Sequence, residues 1–436
     1  MTVYCHAKAC LPALWLLSSV AFAQEIYQAE SAMASQAQSV REPLIVNHHD
    51  PIEPDPQLNL AQLVEQTLEK YPDRLINDAL AQEATALQER GDSWVAGSTA
   101  LALDYNDDRV AEDRGQREAS AKLEFTVWNW GQRSAAQAVA EEAQRSALKQ
   151  SAAIKLEVAG LVREALWDMA LAESQRQQAQ FNADISAQLL DKIRKRVALG
   201  DLARADLLLA ETEDLQMRSL LTQAEAEVMH SRKRYTNLTQ TVHVPMRYEE
   251  VLSSLETIAS DHPLLEAANA LVARKQAAIE WSKTTDTINQ PKVNIGAKTS
   301  RDQYGFDDTQ SAGVGVVIPF GHSTYDAPEI AAAQLELNQT LAQREHLQRR
   351  LEKNLHEAEH LLEVTRAELK LAEEMRDLAG QHLKMSEISF SAGEINLLDL
   401  LKIRARSLEA MRHAKELAIQ LQRHIALYNQ AVGVLP

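Results

Sequence analysis

The sequence predicts a mainly α protein with a small β part, built from two copies of a unit in which a strand pair leads into a long coiled-coil hairpin. Three observations carry this reading: an internal duplication, two very long stretches without proline, and four short segments with period-two alternation. Tyr71-Pro72 corresponds to His262-Pro263 at an offset of 191 residues, and Trp130-Gly131 to Phe320-Gly321 at 190. Gly200-Asp201-Leu202 with Asp206-Leu207-Leu208 corresponds to Gly393-Glu394-Ile395 with Asp399-Leu400-Leu401, and Tyr235 to Tyr428, both at 193. Four landmarks in one order at nearly one offset define two copies, and a unit of this length exceeds any solenoid repeat.

Proline placement outlines the helices. None of the 12 prolines falls between Asp73 and Val244 or between Glu329 and Leu435. A proline inside a helix costs about 3 kcal/mol, so these gaps permit very long helices. Ile154, Val158, Leu161, Ala165, Met169, Phe181, Ile185 and Leu189 recur at helical spacing. Leu355, Leu362 and Leu369 step by seven, each followed three residues later by Ala358, Thr365 and Ala372, which is coiled-coil register with small residues that allow close approach. A helix from Gln132 to Leu199 would reach about 100 Å at 1.5 Å per residue, and needs partners along its whole length. Gly200 and Gly393 stop their helices, and the acid after each suits the first turn of a return helix; a bend within one helix is the alternative.

Period two replaces the helical period in four places. Thr99, Leu101, Leu103 and Tyr105 alternate with Ala100, Ala102 and Asp104; Ala119, Ala121, Leu123, Phe125 and Val127 alternate with Ser120, Lys122, Glu124 and Thr126. In the second copy Val293, Ile295 and Ala297 alternate with Lys292, Asn294 and Gly296, and Ala312, Val314, Val316 and Ile318 with Ser311, Gly313 and Gly315, broken only by Val317. Two arrangements satisfy this pattern: a soluble sheet with one face on a core, or membrane strands with lipid on one side and water on the other. Four strands cannot close a barrel, so the second requires several chains, and three would supply twelve. Trp128, Trp130 and Phe320 end strands where an aromatic girdle would sit.

The ends and the composition favour the membrane arrangement. Residues 1–23 read as an export signal, with Lys8, an apolar run from Leu11 to Val20, and Ala21-Phe22-Ala23 before Gln24; the run is too short for a membrane-spanning helix. Both cysteines, Cys5 and Cys10, lie within it, so the exported chain has no disulfide, thiolate metal site or lipidated cysteine. After the signal no apolar helix long enough to cross a bilayer follows, so any crossing is by strands. The formal charge of -17 repels nucleic acid, and aromatics at 5% suit long helices packed through small side chains. The chain divides into the signal, a proline-rich extension at 24–57, a first copy at 58–240 (strands 98–106 and 118–128, tip Gly200), a link at 241–260, and a second copy at 261–436 (strands 291–298 and 310–319, tip Gly393).

This order, with the strand-end turns Trp130-Gly131 and Pro319-Phe320-Gly321 and the tips Ala198-Leu199-Gly200-Asp201 and Ser391-Ala392-Gly393-Glu394, resembles the TolC-like outer-membrane efflux family from about Leu60 to Val434. The resemblance implies a homotrimer in the outer membrane of a Gram-negative bacterium, with a shared 12-stranded β-barrel in lipid and a helical tunnel in the periplasm. It implies a periplasmic membrane-fusion adaptor and a proton-driven inner-membrane pump of the RND type as partners, with no cofactor and no enzymatic activity. It places Asp399 and Asp206 at the periplasmic entrance, and Arg196, Gly200, Phe390 and Gly393 at the hairpin tips that meet the adaptor. The family's basic latch residue two positions after the second tip glycine is Ile395 here, so the detailed latch departs from the pattern. Three copies of Asp399 around a pore would attract cations; the simpler role is a carboxylate at a helix N-terminus. The stretch Asp326-Ala327-Pro328-Glu329-Ile330-Ala331 is similar to members serving heavy-metal pumps, with drug export or type I secretion as alternatives of the same architecture and a periplasmic structural coiled coil as one of another class.

Two motifs point elsewhere. His356-Glu357-Ala358-Glu359-His360 matches the zinc-protease signature, but the helix continues as a charged coiled coil on both sides and supplies no third ligand. His48-His49 lies in the proline-rich extension, where adjacent histidines are a weak metal signal.

Overall fold

The order helix, strand pair, long helix, glycine tip and return helix runs through the chain twice. The computed structural model describes residues 51–110, 114–285, 290–301, 308–320 and 326–436, all within the unit Pro51–Pro436. The export segment with Cys5 and Cys10, His48, His49, Gly321 and the outermost residues of both strand loops lie outside the described residues. In the first copy, α1 (Leu60–Lys70) and α2 (Arg74–Asp92) precede β2 (Ala100–Asp107), β3 (Arg117–Thr126), α3 (Gln132–Ala198) and α4 (Arg204–Thr239). In the second, α5 (Pro263–Thr284) precedes β5 (Lys292–Arg301), β6 (Asp308–Val317), α6 (Ala327–Ala392) and α7 (Leu397–Ala431). Two short strands, β1 (Glu53–Asp55) and β4 (His243–Pro245), pair in parallel.

The long helices start and stop where local chemistry dictates. Gly131, at φ 76°, opens α3, which runs 67 residues, about 100 Å at 1.5 Å per residue. Its counterpart α6 runs 66 residues. Both end in the same Schellman turn. Gly200 N–H donates to Val197 O and Asp201 N–H to Arg196 O (3.0 and 2.9 Å); Gly393 N–H donates to Phe390 O and Glu394 N–H to Ser389 O (3.1 and 2.9 Å). Both glycines have φ near +80° with no other atoms close by, so it is the left-handed backbone that selects glycine there.

Packing follows the helical periods with local exceptions. Leu355, Ala358, Leu362, Thr365 and Ala372 of α6 are buried, as their heptad register requires. On α3, Ile154, Val158, Ala165 and Met169 are buried against Leu63, Val64 and Tyr235. Leu161 and Phe181 depart from the expected stripe and are 38% and 50% exposed; Ala159, Val162, Leu166, Ala183, Leu190 and Ile193 are buried instead. The reason is geometric: α3 meets α1, α2, α4, α5 and α7 in turn, so its buried face rotates along its length.

The segment between the copies is clasped from both sides. Tyr235 donates its hydroxyl to His243 O (2.5 Å), and Tyr428 donates to Leu255 O (2.6 Å). The buried Arg163 guanidinium forms a two-pronged pair with Glu250 (2.7 and 2.6 Å) and donates to Gln430 Oε1 (2.6 Å) and Val434 O (3.0 Å). The C-terminus, the link and the middle of α3 are thereby tied at one level.

Candidate functional site

The sheet has the order β2-β3-β5-β6, antiparallel throughout. Register places Leu101 beside Leu123, Leu123 beside Ile295, and Ile295 beside Val314, so one face carries a continuous apolar band. Among the described residues no helix covers it: Leu103 and Val314 are each 71% exposed, and Leu101, Tyr105, Ile295 and Val316 are exposed as well. The opposite face is polar. Lys122 Nζ lies 3.4 Å from Asp104, Lys298 Nζ 2.5 Å from Glu118, and Lys292 Nζ 3.8 Å from Glu124, so its acids are matched across strands by lysines. Gly296, Gly313 and Gly315 share that face. A Cβ on Gly296 would come within 2.6 Å of Ala121 O, so β3 and β5 approach there only because the side chain is absent.

The aromatic residues at the sheet's base divide into two groups. Trp130 and Phe320 are fully exposed. Trp128 is half-buried; its indole N–H donates to Ser93 O (3.1 Å) and its ring meets Trp281 edge-on, with centroids 6.4 Å apart. Arg90 stacks over Trp281 at 4.6 Å, and Trp94 packs on Phe125 at 5.4 Å. Trp94 and Trp281 carried no sequence signal, since neither lies in an alternating segment.

At the other end the two hairpin tips come together. Leu190, Ile193 and Ala210 of the first hairpin bury against Leu397 and Leu401 of the second, with Leu202, Leu207 and Phe390 packed around them. Arg196 bridges both tips: its Nε lies 2.6 Å from Asp201 Oδ2, and its guanidinium sits 5.2 Å from the Phe390 ring centre. Arg194 pairs with Asp191 (3.4 Å) and Glu211 (3.6 Å), while Lys195 stays exposed.

The two aspartates, matched in sequence, have different environments. Asp206 accepts the Ala203 N–H at 3.2 Å and so caps the start of α4. In α7 the cap comes from Asn396, whose Oδ1 accepts the Asp399 N–H at 2.8 Å. The Asp399 carboxylate makes no capping bond among the described residues and is exposed, with Lys402 Nζ at 4.0 Å. Asn396 and Lys402 were not singled out from sequence, although an Asn three residues before an acid is a legible cap.

His356 and His360 are both exposed on α6, and among the described residues no group of three or more His, Cys, Asp or Glu side chains is placed to hold a metal ion. Among the described residues no helix is long and apolar enough to cross a membrane.

No protein-family model matches the sequence, and no curated protein sequence does. The structure, by contrast, superposes on solved channel proteins over most of its length. CusC, described as forming a transmembrane channel, matches with TM-score 0.70 at 14% identity, over 86% of this chain and 92% of that one. The outer membrane protein VceC of Vibrio cholerae matches with TM-score 0.70 at 15% identity, over 86% and 97%. The CmeC outer membrane channel of Campylobacter jejuni matches with TM-score 0.68 at 13% identity, over 86% and 85%. The chain therefore has the TolC-like fold of these channels over most of its length.

Proposed function

We propose that this protein is the outer-membrane duct of a tripartite efflux system, working as a homotrimer without catalytic chemistry of its own. The observation that carries the reading is the sheet: among the described residues one face is apolar and uncovered, the other is polar, and both edge strands are unpaired. An exposed apolar band of this extent is a liability in water and a requirement in lipid. Because β2 and β6 run in opposite directions, the β6 edge of one chain can pair antiparallel with the β2 edge of the next. Three chains then close twelve strands, with the Lys–Glu and Lys–Asp pairs facing the lumen. The hairpins extend from this barrel as a tunnel through the periplasm, where the Arg196, Gly200, Phe390 and Gly393 tips meet an adaptor coupled to a proton-driven inner-membrane pump. Residues 1–23 direct export, and Trp130 and Phe320 sit in the headgroup region of the outer membrane.

At the entrance, Asp399 of three chains forms a ring that concentrates cations. Its exposure, and the absence of a capping bond from its carboxylate among the described residues, support this role. As cargo we propose metal cations, on the resemblance of the 326–331 stretch; a strain lacking the protein should then accumulate metal, and unchanged metal content would assign another cargo.

Cell fractionation and the native mass of the detergent-extracted particle test the duct itself. The expected result is a trimer in the outer-membrane fraction that resists salt and carbonate washing; a soluble monomer or dimer overturns the reading. For the ring, Asp399→Ala should keep the trimer and weaken block by divalent cations in a planar bilayer. Unchanged cation block would remove Asp399 from the entrance.

A further inference from the structure

A cavity of about 480 Å³ lies between α3, α4 and α7, with walls from both hairpins. That volume falls in the range of small-molecule sites, roughly 300–1,000 Å³. Met217, Leu220, Leu401 and Leu408 supply an apolar lining, and Gln178 and Ser186 add polar groups. Arg404 also lines it. Arg404 is only 8% exposed, and its Nη2 has no hydrogen-bond partner among the described residues.

A buried guanidinium without a partner is costly, because arginine keeps its charge and has no way to neutralise itself. The acids nearby do not resolve this. Glu409 and Glu416 are held by Arg412 at 2.5 and 2.8 Å, and Glu416 also accepts from Gln175 at 2.9 Å. Glu213 lines the cavity, and Glu387 and Glu213 act on Arg404 electrostatically, but neither forms an ion pair with it among the described residues. Burial holds the Arg404 guanidinium below its usual range despite both acids, so desolvation outweighs their attraction.

We propose that this cavity binds a small amphipathic carboxylate, its anionic head on Arg404 and its apolar body along Met217, Leu220, Leu401 and Leu408. A carboxylate matches the planar donor fork of arginine, and the chain behind it matches the lining. The occupant would touch α3 and α4 of one hairpin and α7 of the other, and so hold the two hairpins together near their tips. This inference is independent of the duct reading, since it concerns groups within one chain.

The test uses the full-length chain in its isolated oligomeric state, with labelled octanoate as probe and equilibrium dialysis as readout; partition into protein-free detergent is subtracted. Saturable binding is expected, with octanamide failing to compete. Arg404→Gln should weaken binding about tenfold or more, whereas Arg404→Lys should retain part of it. Glu213→Gln should bind at least as tightly as the parent, because it removes a like charge from the site. Particle size and helical content of each variant are measured alongside, and Arg404→Lys serves as the comparison should Arg404→Gln misfold. Absence of saturable binding overturns the proposal, as does binding that octanamide matches or that Arg404→Gln leaves unchanged. The last two outcomes would mean that only apolar surface is recognised.

Discussion

At the scale of single residues, the buried charges carry the largest energies. Removing one partner of the Arg163–Glu250 pair leaves the other buried and unpaired, which costs about 3–5 kcal/mol. Arg163→Ala and Glu250→Gln should each lower the unfolding midpoint substantially, while Arg194→Ala, whose pairs are exposed, should change it little; thermal melts followed by circular dichroism check this. His262 supplies a pH dependence. Burial holds its imidazole below the usual value near 6.5, although the backbone carbonyl of Ala431 opposes this. The unfolded chain therefore binds a proton that the folded chain refuses between the depressed value and about 6.5, so the full contribution is present above about 6.5 and is lost as pH falls through that window. In denaturant melts His262→Gln should show a shallower loss of stability on acidification than the parent. An identical slope would assign the dependence to His424, which burial and Arg423 also hold low.

At the scale of elements, the return helices and the sheet give separate tests. Asn396→Ala removes the side-chain cap of α7 and should cost about 1 kcal/mol, seen as faster hydrogen exchange over its first turn with α4 unaffected. Within the sheet, Gly296→Val drives a side chain into Ala121 O and Lys122, so β3 should part from β5 and protease resistance of the sheet should fall. The elements also show where sequence patterns suffice. Alternation in Leu101–Tyr105 and Val293–Ala297 reads directly as a two-faced strand because a pleat has a period of two wherever it lies. The α3 stripe was only partly legible, since Leu161 and Phe181 match the helical period and yet are exposed. A period identifies a helix; the neighbours it meets in turn decide which positions are buried.

At the scale of the whole molecule, the apolar sheet face is the most consequential surface. If it lies in lipid, Val314→Arg should cost about 2–4 kcal/mol near the membrane centre and reduce the yield of outer-membrane trimer, while Ser311→Arg on the opposite face should be tolerated. Equal yields from the two variants would mean that neither face meets lipid. The arrangement of the hairpins adds a second consequence. Arg196 and Phe390 join tips that lie far apart in the chain, so Arg196→Ala should loosen one tip from the other without unfolding either helix; cross-linking between cysteines placed at the tips measures it.

The sequence by itself determined the duplication, the long helices, the glycine tips and the two-faced strands, because each rests on local rules: proline exclusion, side-chain period and the left-handed backbone of glycine. Tertiary structure alone decided how those parts meet. It brought the two glycine tips together, Leu190 and Ile193 against Leu397 and Leu401, with Arg196 reaching from Asp201 to the Phe390 ring. It also buried Arg404 beneath helices from the other hairpin, a placement no local period encodes. Such features depend on residues roughly 190 positions apart approaching within a few ångströms, and only the packed chain brings them together.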